Sequence, residues 1–299
     1  MDDLVWHYTN GPGLISIVSS HTLWATSAQF LNDAGEVALA VELLEGELRA
    51  RAAEGGEAFY RDAAELIEQG GRDHSISPAL FFVLSAARGA DLLAMWRSYG
   101  GQGESYAIGL DPAASLAVLA DTAETGEVAV RHRPWAPVRY TADEQAALVD
   151  AVFDDLPEEV TRVVGLARAG ATREEVLADA AGLLDDIEQA LLLIKHPGFT
   201  DERETRHSSV LYRSERDTPL PPGLVRYRST AYGLAPYLTL TGGDGRAPVR
   251  TDAAPLPIRA VAVSPSPNGP AAEASLRDLL AEHGYRDVPV TRSRIPFRA

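Results

Sequence analysis

An α+β fold, with a single mixed and mainly antiparallel sheet, flanking helices and a helical insert, follows from three features of the sequence. Strand-like runs recur from end to end, at 4–8, 22–26, 79–85, 105–110, 127–140, 207–212, 224–228, 234–240, 258–263 and 287–292. They lack the regular β-α alternation of a doubly wound parallel sheet. Residues 141–194 are helical by composition and strands resume after them, which makes them an insert within one domain spanning 1–299.

Residues 4–8 form a strand ended by the turn Asn10-Gly11-Pro12-Gly13, and Leu14, Ile15, Ile17 and Val18 suit an amphipathic helix to about His21. A strand at 22–26 leads to a turn at Phe30-Leu31-Asn32-Asp33, where Asn32 or Asp33 can cap the next helix. Val37, Leu39, Val41, Leu43, Leu44 and Leu48 repeat near helical spacing, and a further helix over 57–69 ends at Gly70-Gly71. The continuous apolar run at 79–85 predicts a central strand covered on both faces. A helix over 90–99, the flexible Gly100-Gly101-Gln102-Gly103 turn, and a strand at 105–110 closed by Asp111-Pro112 with a helix after it come next. Pro134 and Pro137 demote the middle of 127–140 to an edge or a bend. The insert divides near Leu156-Pro157 and near Gly170, with a fresh helix starting at Thr172. Residues 242–257, polar and rich in Gly and Pro, are the best candidate for disorder, and a last helix spans 271–283.

Composition bounds the function. A hydrophobic content of 45% over 299 residues supports a sizeable core. The net charge of −16 and pI near 4.8 disfavour broad binding to a phosphate backbone, though not a local basic site. Basic residues are almost all Arg, and Lys195 is the single lysine. The absence of cysteine excludes disulfides, thiolate metal sites and cysteine nucleophiles. The N-terminus lacks the basic and apolar regions of a signal peptide, and the longest apolar run, 79–87, is too short to span a bilayer. A cytoplasmic protein with no membrane contact is expected.

Several common sites are missing. There is no P-loop, no G-x-G-x-x-G opening a helix and no H-E-x-x-H. Trp96-Arg97-Ser98-Tyr99-Gly100 carries Trp where a nucleophile elbow needs its first Gly. A zinc site from His7, His196 and His207 could be assembled only by folding.

Three constellations remain. His7-Tyr8-Thr9 ends the first strand beside a turn, where it can face a cleft or satisfy local hydrogen bonds. Trp96 and Tyr99, three apart on a helix, share a face that is either core packing or a stacking wall for a planar ring. The stretch 195–213 opens with the turn His196-Pro197-Gly198. If it then extends, Glu202, Glu204 and Arg206 lie on one face and Arg203, Thr205 and His207 on the other. Two carboxylates and a guanidinium can hold a cationic transition state, or simply decorate a solvent-facing strand.

These motifs together resemble a bacterial family labelled as domain of unknown function 2971. The resemblance is carried by His7-Tyr8-Thr9, Leu23 to Thr26, Phe30 to Asp33, Trp96-Arg97 with Tyr99-Gly100, and Ile108-Gly109. It continues in Lys195, His196, Phe199, Glu202, Glu204 and Arg206, and closes with Ser293, Ile295, Pro296, Phe297 and Arg298. More distantly, the opening is similar to that of bacterial ADP-ribosyltransferases. That resemblance implies an ADP-ribosyltransferase-like fold and NAD as a dinucleotide substrate. It implies His7 as the ribose contact, Tyr8 or Tyr99 as the ring stacked on nicotinamide, and Glu204 or Glu202 as the late catalytic carboxylate. Cleaving the N-glycosidic bond of NAD passes through an oxocarbenium-like sugar, which a fixed carboxylate stabilises. Arg97, Arg203 or Arg206 can bind the pyrophosphate, Thr9 and Trp96 complete the binding side, and the acceptor is water, a protein or a nucleic acid. The second expectation is a nucleotide- or nucleic-acid-binding module in phage defence or a toxin–antitoxin pair. Its basis is the concentration of Arg203, Arg206, Arg213, Arg216, Arg226 and Arg228 in an acidic chain.

Overall fold

The computed structural model describes residues 3–31, 34–53, 79–99, 103–154, 162, 169–171, 189–213, 217–231, 233–265 and 269–296. In chain order they form β1 (Val5–Asn10), α1 (Gly11–Ser20), β2 (Leu23–Ser27), α2 (Ala34–Ala53), β3 (Leu80–Ala87) and α3 (Leu93–Tyr99). Next are β4 (Ser105–Leu110), β5 (Leu116–Leu119), β6 (Val128–Pro137), α4 (Ala142–Asp154), β7 (Glu204–Arg213) and β8 (Arg226–Thr230). Then come β9 (Gly233–Gly242), β10 (Val249–Arg250), β11 (Ile258–Val263), α5 (Pro270–Glu282) and β12 (Val290–Arg292). The expected caps at Asn32 and Asp33, the helix over 57–69, the Gly100-Gly101-Gln102 part of its turn, the division near Leu156-Pro157 and the helix from Thr172 lie outside the described residues.

The fold is α+β. Its open sheet runs β10-β5-β9-β2-β3-β1-β4-β11-β12, with β7 and then β6 added to the far edge of β3 and β8 added to β9. Among the described strands only β5–β10 and β11–β12 pair in parallel, and Arg139 and Ile194 form an isolated parallel bridge outside the strands. The chain divides into two compact units. The first (Met1–Phe30, Leu80–Pro137, Thr200–Ala299) contains the whole sheet, and the second (Leu31–Ala79, Val138–Phe199) groups the 141–194 stretch with the chain around α2. Within that second unit, Ala40, Leu44 and Leu48 of α2 are buried with Val149 and Phe153 of α4 and with Ile194. Thr141 and Glu144 form a reciprocal capping box at the start of α4.

Local chemistry explains most boundaries of the first unit. The Asn10 side chain accepts from the Gly13 amide and starts α1, Pro12 sits in the first turn, and Leu14, Ile17 and Val18 bury one face. The helix ends at His21 in the left-handed region (φ 55°). β3 is paired on both edges, which is why a continuous apolar run was needed there. Among the described residues β6 pairs only with β7, and it breaks register between Arg133 and Ala136, around Pro134.

Three expectations are corrected. The stretch after Asp111-Pro112 is not a helix: Leu116–Leu119 is β5, with Leu116 and Val118 in the core. The stretch between the Asp111-Pro112 turn and Asp121 is too short for a helix to stand by itself, whereas β9 offers an edge to pair with. The 242–257 loop is tied down, since β10 pairs with β5 and the Thr241 hydroxyl donates to the carbonyls of His21 and Ala254. The third concerns 195–206, where extension begins only at Glu204.

The two faces of the sheet differ. The main core covers one face through Val5, Leu23, Leu84, Ile108, Leu211, Leu238, Leu240 and Val261. On the other, Trp6, Tyr8 and Trp96 lie over the small residues Ala87, Ala107, Ala260 and Ala262. Gly109 belongs to that small-residue floor, because a Cβ there would stand 3.0 Å from the Trp6 ring. Gly109→Val should therefore displace Trp6 and cost about 1–3 kcal/mol, the usual penalty of overpacking. A lowered urea midpoint with an unchanged slope is the expected result.

Candidate functional site

Side chains alternate across a strand, and residues paired across strands share a face, so the register orders the site directly. One row of pairs runs Glu204–Ala87–Trp6–Gly109–Ala260 across β7, β3, β1, β4 and β11. A second row runs Arg133–Ser208–Val83–Thr26–Tyr237–Arg226 across β6, β7, β3, β2, β9 and β8. Both rows project from the face opposite the main core. Tyr8, Glu204, Arg206, Ser208, Trp24 and Tyr237 therefore share one face.

At one end of this face the aromatic residues are structurally engaged. The Tyr8 hydroxyl donates to the Gly89 carbonyl (2.8 Å) and accepts from the Leu92 amide (3.1 Å). Its burial pushes the phenol pKa up, and its ring meets Trp96 edge-on at 4.6 Å. The Trp96 indole donates to Asp91 at 2.8 Å. Asp91 also accepts from the Ser293 hydroxyl and the Arg294 amide, so the W-R-x-Y and S-x-I-P motifs meet at one carboxylate. Arg97 and Tyr99, further along α3, are exposed.

At the centre lies a buried ion pair. Arg206 donates to Glu204 twice, Nε to Oε1 at 2.8 Å and a terminal nitrogen to Oε2 at 3.0 Å, and the side chains are 2% and 6% exposed. Two residues farther along the same face, the buried Ser208 hydroxyl has no hydrogen-bond partner among the described residues. Glu202 is not part of this array. Pro197–Glu202 is a 3-10 turn that closes with the Arg203 amide on the Thr200 carbonyl, and Arg203 adopts φ 47°. That left-handed residue redirects the backbone, so the two glutamates of E-x-E do not alternate on one strand. Arg203 is then anchored by the Arg88 amide donating to its carbonyl at 2.9 Å.

His7 and Thr9 pair with Ile108 and Tyr106 and project toward the main-core face, away from Glu204 and Arg206. His7 Nδ1 lies 3.0 Å from the Ser85 carbonyl, which can only accept, so Nδ1 carries the proton. Burial holds the His7 pKa below its usual value, which favours that neutral form. The same face carries His207, stacked on His132 (5.5 Å) and tilted against Trp135 (5.6 Å). His132 donates from Nε2 to the Pro248 carbonyl and accepts at Nδ1 from Ser209. Burial first, and the neighbouring His132 second, push the His207 pKa down to about 3. An apolar cleft lined by Leu14, Ile15, Tyr106, Leu276 and Leu279 also opens on this side.

The structure thus brings Tyr8, Trp96, Glu204 and Arg206 onto one face and separates His7, Thr9 and Glu202 from it. Of the arginines, Arg206 is buried, Arg226 and Arg228 lie on β8, and Arg216 is outside the described residues. Phe297 and Arg298 of the closing motif are outside them as well. Sequence reasoning missed Ser208, Trp24 and Tyr237. The alternation in Leu23-Trp24-Ala25-Thr26 was a usable signal, because it puts Trp24 opposite two core-facing residues. No group of three or more metal-ligating side chains occurs among the described residues, and no helix among them is long and apolar enough to cross a membrane.

The fold and this face define an α+β protein with a polar, partly closed sheet surface. Residues 95–207 match a family described as protein of unknown function (DUF2971), to which the chain is similar over that stretch. The matched stretch includes Trp96, Glu204, Arg206 and His207 and stops short of β8 and β9. No curated protein and no solved structure matches the chain.

Two measurements follow from this geometry. Arg206→Met removes the bidentate partner of a buried carboxylate and should cost about 3–5 kcal/mol. Adding Glu204→Gln to that variant should restore part of the loss, so the double-mutant cycle reads a coupling well above that of an exposed pair. His207 is neutral when folded and titrates near its ordinary value when unfolded, so the unfolded chain binds the extra proton. Stability falls as pH drops below about 6.5 and continues to fall toward the folded pKa of about 3. Between pH 7.5 and 5.5 this one group should contribute about 1 kcal/mol, and urea unfolding of His207→Phe should show a pH dependence shallower by that amount.

Proposed function

We propose that this protein is an NAD-consuming enzyme, an ADP-ribosyltransferase or NAD glycohydrolase, and that its reaction takes place on the face carrying Tyr8, Trp96, Glu204 and Arg206. The observation that supports this reading is the buried Glu204–Arg206 pair, held on the same sheet face as the Tyr8–Trp96 aromatic cluster. An isolated carboxylate and guanidinium are costly to bury, and a paired set rarely stabilises a fold more than apolar residues do. A fixed carboxylate is, however, what a developing sugar cation requires.

In this reading the bond between ribose C1′ and the nicotinamide nitrogen breaks, and its electron pair leaves with nicotinamide. Glu204 stabilises the oxocarbenium-like ribose, with Arg206 acting as the positioning residue that aims the carboxylate. Water or an acceptor nucleophile then bonds to C1′ and loses its proton to solvent. Glu204 is assigned this role in preference to Glu202 because only Glu204 lies in the strand. Arg97 and Tyr99, exposed on α3, supply contacts to the pyrophosphate and the nicotinamide ring. His7, directed to the other face, serves β1 through its bond to Ser85 and is not used as a ribose contact.

Nicotinamide release from NAD by the purified protein tests the reading. Glu204→Gln should lower release by roughly 10²–10³-fold, the usual cost of losing one transition-state electrostatic contact. Circular dichroism must show the variant folded at the assay temperature, since its ion pair is altered. Absence of nicotinamide release by the wild-type chain, with water or with added protein and nucleic-acid acceptors, removes the proposal.

A further inference from the structure

The face that holds Glu204 is closed at its centre and open at β2. Ser208 and Val83 are fully covered, whereas Trp24, in the same face and on a strand paired on both edges, is 46% exposed. The Trp24 ring rests at 4.6 Å on Tyr237, tilted by 35°. Arg228 reaches across the small Ala235 with which it pairs, donates to the Thr26 hydroxyl (3.0 Å) and places its guanidinium 5.8 Å from the Trp24 ring. Its Nε is a buried donor with no partner among the described residues. Arg226, paired with Tyr237 across the strands, holds the exposed Asp121 at 3.0 Å, a contact easily exchanged for another anion.

We propose that Trp24, Tyr237, Arg226 and Arg228 form a subsite for one nucleotide unit, its base stacked on Trp24 and its phosphate held by the two arginines. Planar bases stack on exposed aromatic rings irrespective of sequence, and a guanidinium matches phosphate in a bidentate fork. Two features specify a single nucleotide over a nucleic-acid strand. The platform offers one stacked ring pair, room for one base. The chain carries a net charge of −16, which repels a long polyanion but tolerates one phosphate at a local pair of arginines. The subsite is continuous with the Glu204 face through the row Ser208–Val83–Thr26–Tyr237–Arg226, so it would take the adenylate half of the dinucleotide. To that extent it rests on the proposed reaction.

The test uses 5′-AMP, which lacks nicotinamide, titrated into the full chain by calorimetry and tryptophan fluorescence. Saturable binding is expected, weakened about ten-fold or more in Trp24→Ala, in keeping with the loss of one base–aromatic stack. Arg228→Gln should weaken AMP but not adenosine. Trp24 is exposed and Arg228 half-buried, and unchanged thermal unfolding of the variants serves as the fold control. AMP binding that ignores Trp24→Ala, or no AMP binding, overturns the subsite. So does much tighter binding of a short oligonucleotide with a steep salt dependence, which would make the surface a nucleic-acid interface. The two proposals separate cleanly. AMP binding lost with Trp24, but no nicotinamide release from NAD, keeps the subsite and ends the reaction. Nicotinamide release with a KM for NAD unchanged in Trp24→Ala keeps the reaction and ends the subsite.

Discussion

A carboxylate and a guanidinium two residues apart on one strand can both be buried only if they satisfy each other. Glu204 and Arg206 meet that requirement with two short charge-assisted bonds, and much of the first unit is arranged around the strand that carries them. β7 joins the edge of β3 over eight residue pairs, from Leu211 opposite Leu80 to Glu204 opposite Ala87. β6 then covers its other edge, shifting register between Arg133 and Ala136, around Pro134, before pairing resumes opposite Arg206 and Thr205. The strand is consequently interior, and six consecutive polar residues, Glu204 to Ser209, are removed from solvent. Burial on this scale is costly unless the polar groups find partners. The His207 Nε2 and the Ser208 hydroxyl, which have none among the described residues, mark the places where the arrangement departs from what packing alone would favour.

The entry to that strand depends on a single backbone reversal. The 3-10 turn ends at Arg203, whose left-handed conformation is unusual for a residue with a side chain. Through it, Glu202 and Glu204 acquire different environments: one half-exposed in a turn, the other locked in the sheet. With an extended backbone through Arg203, the same spacing would put both carboxylates on one face, where like charges resist joint burial. The Arg88–Arg203 backbone bond holds the reversal against the end of β3, which also positions α3 and its aromatic residues.

Asymmetry between the two faces has a simple steric origin. On one side, branched and long apolar residues build a conventional core beneath α1 and α5. On the other, Ala87, Ala107, Gly109, Ala260 and Ala262 leave a shallow floor on which Trp6, Tyr8 and Trp96 lie. The Asp91 carboxylate then ties Trp96 to the last strand region through Ser293 and Arg294, so that residues far apart in sequence become mutually dependent. Toward β2 and β9 the same face is open, and exposed rings and arginines replace the closed aromatic floor.

Periodicity and turn chemistry determined a good deal without tertiary information. The apolar run at 79–85 identified a central strand, Asn10 and Pro12 marked the start of α1, and Pro134 located the bend of an edge strand. These signals are local, since they reside in the residues that adopt the structure. The stretch after Asp111-Pro112 reads as helix because propensity is weak in so short a span, and the available edge of β9 made Leu116–Leu119 a strand. The candidate site divides along the same line. Residue types alone singled out His7, Tyr8, Thr9, Trp96, Tyr99, Glu202, Glu204 and Arg206 together. Which of them share a face required the cross-strand register, and one residue of shift at Arg203 or between His7 and Tyr8 sends a side chain to the opposite side of the sheet. The sequence determined the chemistry available to this protein, while strand pairing, a non-local choice, decided which groups act together.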